Sequence, residues 1–299
     1  MKYKKLKNSD DAVVGIIVAV LLIGLVLIIV SVFQTVFIPN WMKNIEAGHM
    51  DEVAGQFSQL KFAVDIQSSL QTNDIPVSVP ITIGNKQFPL LQSSQSFGQI
   101  DILDNSSYFS FGNISESAIV YIGNVVFDSF NAYFIDQTYI YEAGAIIVSQ
   151  NEGNIMTVRP DFSLEITGGG TSFDANFSLI NITDVGNKDT ASGYGTYPIR
   201  VEYDNGYLEE IPDDITTITI SSNYAESWQL YFINLFRNAI SNSGLTYSDY
   251  ETIISHTPGS NIVTVDIGQF ALDLGLTAIN LDVYRIDIKS QIAPGWVEG

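Results

Sequence analysis

The 299-residue chain contains no cysteine and only two histidines. Without thiols it has no disulfide, no thiolate nucleophile and no sulfur-ligated zinc or iron–sulfur centre. Two isolated imidazoles, His49 and His256, do not make the convergent set that metal ligation by histidine requires. Positive charge is also scarce: 13 Lys and Arg stand against 33 Asp and Glu, a formal net charge of −20. Five of the 13 (Lys2, Lys4, Lys5, Lys7, Lys43) fall in the first 43 positions, with only two acids, Asp10 and Asp11. From residue 44 onward the balance is 8 minus 31, or −23, which repels phosphate backbones and argues against nucleic acid as a partner. No H-x-x-x-H pair, phosphate-binding loop, G-x-S-x-G elbow or dinucleotide fingerprint occurs, so no catalytic, cofactor-binding or metal-ligating residue is assigned.

What is present is one long apolar run. From Ala12 to Val30, nineteen consecutive residues lack a polar side chain, and Val32 and Phe33 extend the run past Ser31. A helix needs roughly 20 apolar residues to cross the hydrocarbon core of a bilayer. Secretory leaders carry a shorter core, about 7–15 residues, and a small-residue cut site; here "QTVFIPNW" follows instead. Residues 12–38 therefore read as a transmembrane or filament-core helix behind a basic leader, 1–11, that stays cytoplasmic and sends the rest outside. Asp10 and Asp11 suit the positive end of that helix, and Trp41 suits the membrane interface.

Beyond Pro39 the pattern becomes amphipathic. Trp41, Ile45, His49, Val53, Phe57, Leu60 and Val64 recur at spacings of 4, 4, 4, 4, 3 and 4, one face of an α-helix, with Lys43, Glu46, Asp51, Glu52 and Gln59 elsewhere on its surface. Residues 39–72 are expected to form a stalk whose apolar stripe is open to neighbours, with a kink at Pro39.

A lysine-rich leader, acidic residues, a long apolar helix and an amphipathic continuation, "DDAVVGIIVAVLLIGL" and "IPNWMKNIEAGHMDEVAGQFSQLKFAVD", resemble archaeal type IV pilin-like proteins and related surface proteins with a class III-type N-terminal membrane helix. The likeness covers about the first 70 residues. It implies a processing region at Lys7, Asn8, Ser9 and Asp10, and self-association through the N-terminal helix. Two departures stand out: Ser9 follows Asn8 rather than a lysine, and Val14 falls where a mature pilin carries glutamate.

After residue 74 the signal turns to β structure. "PVSVPITIG" reads as an edge strand because Pro80 cannot donate to a ladder. "YIYEAGAIIVSQNEGNIMTV" reads as three strands with two turns, "FSLEIT" as a half-buried strand, and "IRVEYDNGYLEEI" as a hairpin turning at Asn205-Gly206. "NYAESWQLYFINLFRNAISNSG" carries an aromatic stripe at helical spacing, a packed helix over about 222–241 with Ser221 or Ser222 as N-cap. "NIVTVDIG" and "LDVYRIDIK" are expected to close a second sheet, and 293–299 is a tail. The whole is mainly β with a long N-terminal helix, an antiparallel sandwich-like body. The "TGGG" stretch, 167–170, either divides domains of 75–166 and 171–292 or turns within one continuous β structure.

Acid pairs (Asp101 with Asp104, Glu209-Glu210, Asp213-Asp214) carry little information in so acidic a chain; solvated surface is their ordinary role. Four N-x-[ST] sequons, at Asn105, Asn113, Asn176 and Asn181, are candidate glycosylation sites on a predicted exterior domain. The reading is a non-enzymatic, cell-surface structural protein whose partners are the lipid bilayer and other assembly subunits. A membrane-tethered extracellular binding or adhesion module is the alternative. Both require the apolar helix to survive maturation, so mass spectrometry of the native protein is expected to recover a chain retaining Ala12–Phe33. A mature N-terminus beyond residue 38 would contradict both.

Overall fold

A single helical rod opens the chain. In the computed structural model, which describes residues 9–73, 75–84, 96–186 and 188–292 and side chains from Val13 onward, α1 spans Ser9–Val32 and α2 spans Ile38–Leu70. Between them, Phe33–Phe37 form a widened π turn, and the Ile38 N–H donates to the Phe33 carbonyl. Pro39 explains this turn. It has no N–H to give, and its ring crowds the carbonyl four residues back; one wider turn accommodates both while the helix continues. At its other end α2 stops at Gln71, whose left-handed backbone (φ 48°) places its N–H on the Gln67 carbonyl.

The remaining elements are β1 Val77–Thr82, β2 Phe97–Gly112, β3 Ser117–Phe130, β4 Thr138–Glu142, β5 Ala145–Gln150, β6 Gly153–Val158, β7 Phe162–Thr167, β8 Ser172–Asp184, β9 Thr190–Gly193, β10 Thr196–Leu208 and β11 Thr217–Ser221. They continue with α3 Ala225–Ser243, α4 Tyr250–Ile253, β12 Ile254–His256, β13 Ile262–Asp266, α5 Ile267–Leu274 and β14 Ala278–Ile292. One sheet runs β1-β10-β14-β8-β7, and the other β12-β13-β11-β2-β3-β4-β5-β6, with β9 also on β2. Nearly every pair is antiparallel; the exception is β14 on β8, parallel from Ala278↔Ser172 to Ser290↔Asp184.

Several expectations hold. β1 is an edge strand with Pro80 opposite Pro198, the 138–158 stretch forms three strands, and Phe162–Thr167 is a strand. Others are corrected. Asn205-Gly206 is not a hairpin turn: β10 runs straight through it with a register shift between Tyr203 and Asn205, because the 15-residue β14 pairs with both flanks. The α3 helix starts at Ala225 rather than near 222, and its N-cap is Tyr224; the Ser222 hydroxyl accepts from the Tyr224 N–H two residues earlier. β14 lies in the middle of its sheet rather than closing one. Thr167–Gly170 is the turn of the β7–β8 hairpin, where Gly168, Gly169 and Gly170 all take positive φ. Strands from before and after it share both sheets, β1 with β10 and β2 with β11, so the β region is one interleaved structure.

The sheets cross most closely at Gly123. A Cβ there would fall 1.9 Å from the Ile182 carbonyl oxygen, so only glycine allows β3 and β8 to touch. Two cores lie to either side of this crossing. One gathers Phe109, Phe162, Phe177 and Phe173 beneath the Trp228, Phe232 and Phe236 face of α3. The other is covered by α2: Val53, Phe57, Leu60 and Val64 meet Val79, Ile81 and Ile199 of one sheet and Phe127, Tyr139 and Tyr141 of the other. β3 serves both cores, which is why Ile122–Phe127 is buried without alternation.

The stripe on α2 is therefore occupied by the chain's own sheets and is not an open stalk. Val53, Phe57, Leu60 and Val64 are fully buried, whereas Ile45 is half-buried and Trp41 stays exposed. Burying those four side chains contributes on the order of 6–12 kcal/mol. Phe57→Ala is expected to destabilise the body by about 3–5 kcal/mol. Phe62→Ala, on the exposed face of the same helix, should fall within about 0.5 kcal/mol of the parent. Urea unfolding of the full chain in detergent measures both.

Candidate functional site

The most unusual surface of the molecule is α1. Its 24 residues span about 36 Å. The large apolar side chains from Val13 to Val32 are exposed on every face. Among the described residues this rod is the one helix long and apolar enough to cross a membrane. Because the π turn keeps it continuous with α2, whatever holds α1 also positions the β body.

Polar side chains secure that coupling. Glu46 is completely buried, and its carboxylate accepts three backbone N–H groups from the β3–β4 connection: Ala132 at 3.0 Å, Tyr133 at 2.7 Å and Phe134 at 2.6 Å. Charge-assisted bonds to three successive amides replace the water that the carboxylate loses. The connection is braced further by Asp136 Oδ1, which accepts from the Asn131 N–H, and by Ser129 Oγ, which accepts from the Gln137 N–H. Along the same face His49 Nε2 donates to the Thr82 carbonyl at 2.8 Å, Gln56 Oε1 accepts from the Thr82 N–H at 2.8 Å, and Gln67 Oε1 accepts from the Tyr203 N–H at 3.3 Å. Three side chains of α2 thus bond backbone groups along the five-stranded sheet, two of them at the end of its edge strand β1.

These polar contacts correct the surface position expected for Glu46. A signal for them did exist. Glu46, His49, Val53, Gln56, Leu60, Ala63 and Gln67 recur at 3, 4, 3, 4, 3 and 4, the buried face itself, turned slightly from the purely apolar stripe. Reading only apolar residues loses it.

The candidate modification sites separate. Asn105 is exposed at φ 50° in the bulge of β2, and Asn176 is exposed on β8. Asn113 turns its Oδ1 onto the Ser115 and Glu116 N–H groups and is half-buried. Asn181 is enclosed at the sheet crossing; its Oδ1 accepts from Gly123 N and its Nδ2 donates to Asp287. A folded chain has no room for a glycan there. Lys7 and Asn8 of the processing region lie outside the described residues, as do the side chains of Ser9 and Asp10. Among the described residues no group of three or more His, Asp or Glu converges to hold a metal.

A second buried acid was not foreseen at all. Glu142, at the β4–β5 turn, is fully buried; its Oε1 accepts from Trp228 Nε1 at 2.7 Å and its Oε2 from Asn124 Nδ2 at 2.8 Å. It ties α3 to the nine-stranded sheet. Burial lifts its pKa from 4.5 to about 7, opposed by the hydrogen bonds from Ser222, Trp228 and Asn124. Turning the Asn124 amide over would let a protonated Glu142 donate to Asn124 Oδ1, which otherwise lacks a partner.

The consequence for stability has a definite sign. Below pH 4.5 folded and unfolded chains both hold this proton; between 4.5 and about 7 only the folded chain does. The contribution of Glu142 to stability is therefore full at low pH, declines as pH rises through this window, and totals about 3 kcal/mol. Glu142→Gln should remove that decline while the other carboxylates titrate unchanged. Urea unfolding of both proteins across the window measures the difference.

Comparison of the chain with protein-family models, with curated proteins and with solved structures returned no match.

Proposed function

We propose that the chain is a non-enzymatic structural protein of the cell surface, an archaeal pilin-like subunit of a filament or envelope assembly. It crosses the membrane once, with its lysine-rich N-terminus cytoplasmic and its β body outside. One observation carries the reading: the bare apolar helix runs without a flexible joint into a helix embedded in the body. Subunits that assemble through packed helices need the helix to dictate where each body sits, and a rigid joint transmits that position. A module that only needs tethering is served by a flexible linker, which decouples the two. Lys2, Lys4, Lys5 and Lys7 support the orientation, and the charge of −23 from residue 44 onward supports a soluble exterior.

A specific observation favours the second reading, a tethered binding module. A cleft of about 540 Å³ lies between α2 and the sheets, lined by Lys61, Asp65, Arg159, Asp161 and Tyr284 among others. Lys61 and Asp65 already pair across one helical turn at 2.9 Å, which leaves less charge for a ligand.

Electron microscopy of sheared cell-surface material, labelled with antibody against the β body, separates the two. Labelled fibres or a labelled ordered layer are expected. Recovery only as dispersed, detergent-extracted monomers would overturn the assembly reading and leave the tethered module.

A further inference from the structure

Three parts of the chain line the cleft between α2 and the sheets. The parallel pair β8–β14 supplies its base, where Tyr284 stands opposite Ser178 and Ile286 opposite Ile180. Alternation along each strand turns these four side chains to one face. The two isoleucines are buried and close the bottom. The end of α2 away from α1 supplies Lys61, Asp65 and Ser68 at spacings of 4 and 3, with Ser69 beside them. The β6–β7 connection, residues 159–161, supplies Arg159 and Asp161.

Neighbouring groups hold Tyr284 in place. Its hydroxyl accepts from Gln71 Nε2 at 3.3 Å, just past the end of α2. A Cβ on Gly206 would fall 2.9 Å from that hydroxyl and 3.4 Å from Cε1 of the ring. The glycine of Asn205-Gly206, which makes no turn, thus leaves the space in which the Tyr284 ring lies.

The charges of the lining cancel. Lys61 Nζ reaches both Asp65 oxygens at 2.9 Å, a pair that is neutral as a unit. Arg159 and Asp161 make no ion pair or hydrogen bond among the described residues, although Arg200, Arg285 and Lys289 are all paired with acids. Ser68 and Ser69 give their protons to the Val64 and Asp65 carbonyls, which leaves both oxygens able to accept. A cationic ligand would meet Lys61 and Arg159, and an anionic one the field of a body whose charge is −23 from residue 44 onward.

We infer that this cleft binds a neutral saccharide. A pyranose ring carries the matching surface: C–H faces for Tyr284 and the isoleucines, and a rim of hydroxyls that both donate and accept. Arg159 donates to such a rim, and Asp161, Ser68 and Ser69 accept from it. The volume, about 540 Å³, falls within the range of small-ligand sites, about 300–1,000 Å³. Arg159 also borders a second hollow of about 210 Å³ lined by Ile155, Leu230 and Tyr231, which leaves room for a further ring. The inference rests on the tethered-module reading and deepens it by naming the ligand class; it is independent of what packs around α1.

The test uses the full chain in lauryldimethylamine oxide micelles, because maltoside and glucoside detergents would compete as sugars. Saturation-transfer difference NMR is recorded with maltose, cellobiose, mannobiose and chitobiose, and with glycylglycine and inorganic phosphate as zwitterionic and anionic probes. At least one disaccharide is expected to receive saturation at its ring C–H protons, with a Kd in the millimolar range. Arg159→Ala, on an exposed connection, should weaken that binding roughly tenfold, and Tyr284→Ala by a similar factor. Phe62→Ala, on a face of α2 outside the cleft, should leave it unchanged. Circular dichroism checks that each variant is folded.

Disaccharide binding that survives undiminished in folded Arg159→Ala and Tyr284→Ala would overturn the inference by placing the sugar elsewhere. Binding of glycylglycine or phosphate in place of the disaccharides, and its loss in Arg159→Ala, would overturn the saccharide class while leaving a binding module. Absence of saturation for every probe, at concentrations well into the millimolar range, would overturn the saccharide site and remove the tethered module's support with it.

Discussion

Phe57, Val53, Leu60 and Val64 have no contact with water, and the sheet residues beneath them, from Val79 to Tyr141, would face solvent if α2 were removed. The same helix is continuous with a rod whose every face is apolar. These two facts constrain everything else. One continuous helix carries a bare apolar surface at one end and covers a β core at the other, with no break in the helix between them. The π turn at Phe33–Phe37 is the local accommodation. It accommodates Pro39 while the helix continues from α1 into α2.

Apolar burial alone would let a helix slide or rotate over a sheet, since hydrophobic contact has little direction. The buried polar groups remove that freedom. Glu46 accepts only where the Ala132, Tyr133 and Phe134 amides converge, and Gln56 must meet both the N–H and the hydroxyl of Thr82. A shift of one residue along the helix would strand a buried charge, which costs several kcal/mol. Glu142 does the corresponding work for α3 against the nine-stranded sheet, through Trp228 and Asn124. The body is thus held by two apolar cores and registered by two buried carboxylates.

Much of this was legible in the sequence, and the failures have physical causes. Elements with local signals were read well. Examples are the rod, the 138–158 meander with its glycine and asparagine turns, and α3 with its aromatic stripe and closing Gly244. Asn205-Gly206 misled because a turn-favouring pair is also tolerated at a bulge, and the long partner β14 decided between them. The parallel β8–β14 pair joins segments about a hundred residues apart, and no local pattern encodes it. The stripe on α2 was visible, but periodicity shows that a face is buried without showing what buries it. Glu46 and Glu142 escaped because an acid in an acidic chain reads as surface; only their three-dimensional donors reveal them.

The central claim is that the second half of the helix belongs to the core of the β body. Hydrogen exchange of the full chain in detergent, followed by mass spectrometry, tests it most directly. If helix and sheets form one cooperative unit, the amides of Met50–Gln67 should exchange only with global unfolding, at the same rate as those of β8 and β14. Exchange of Met50–Gln67 well before those strands would show a separable stalk lying on the sheets, and would contradict the account.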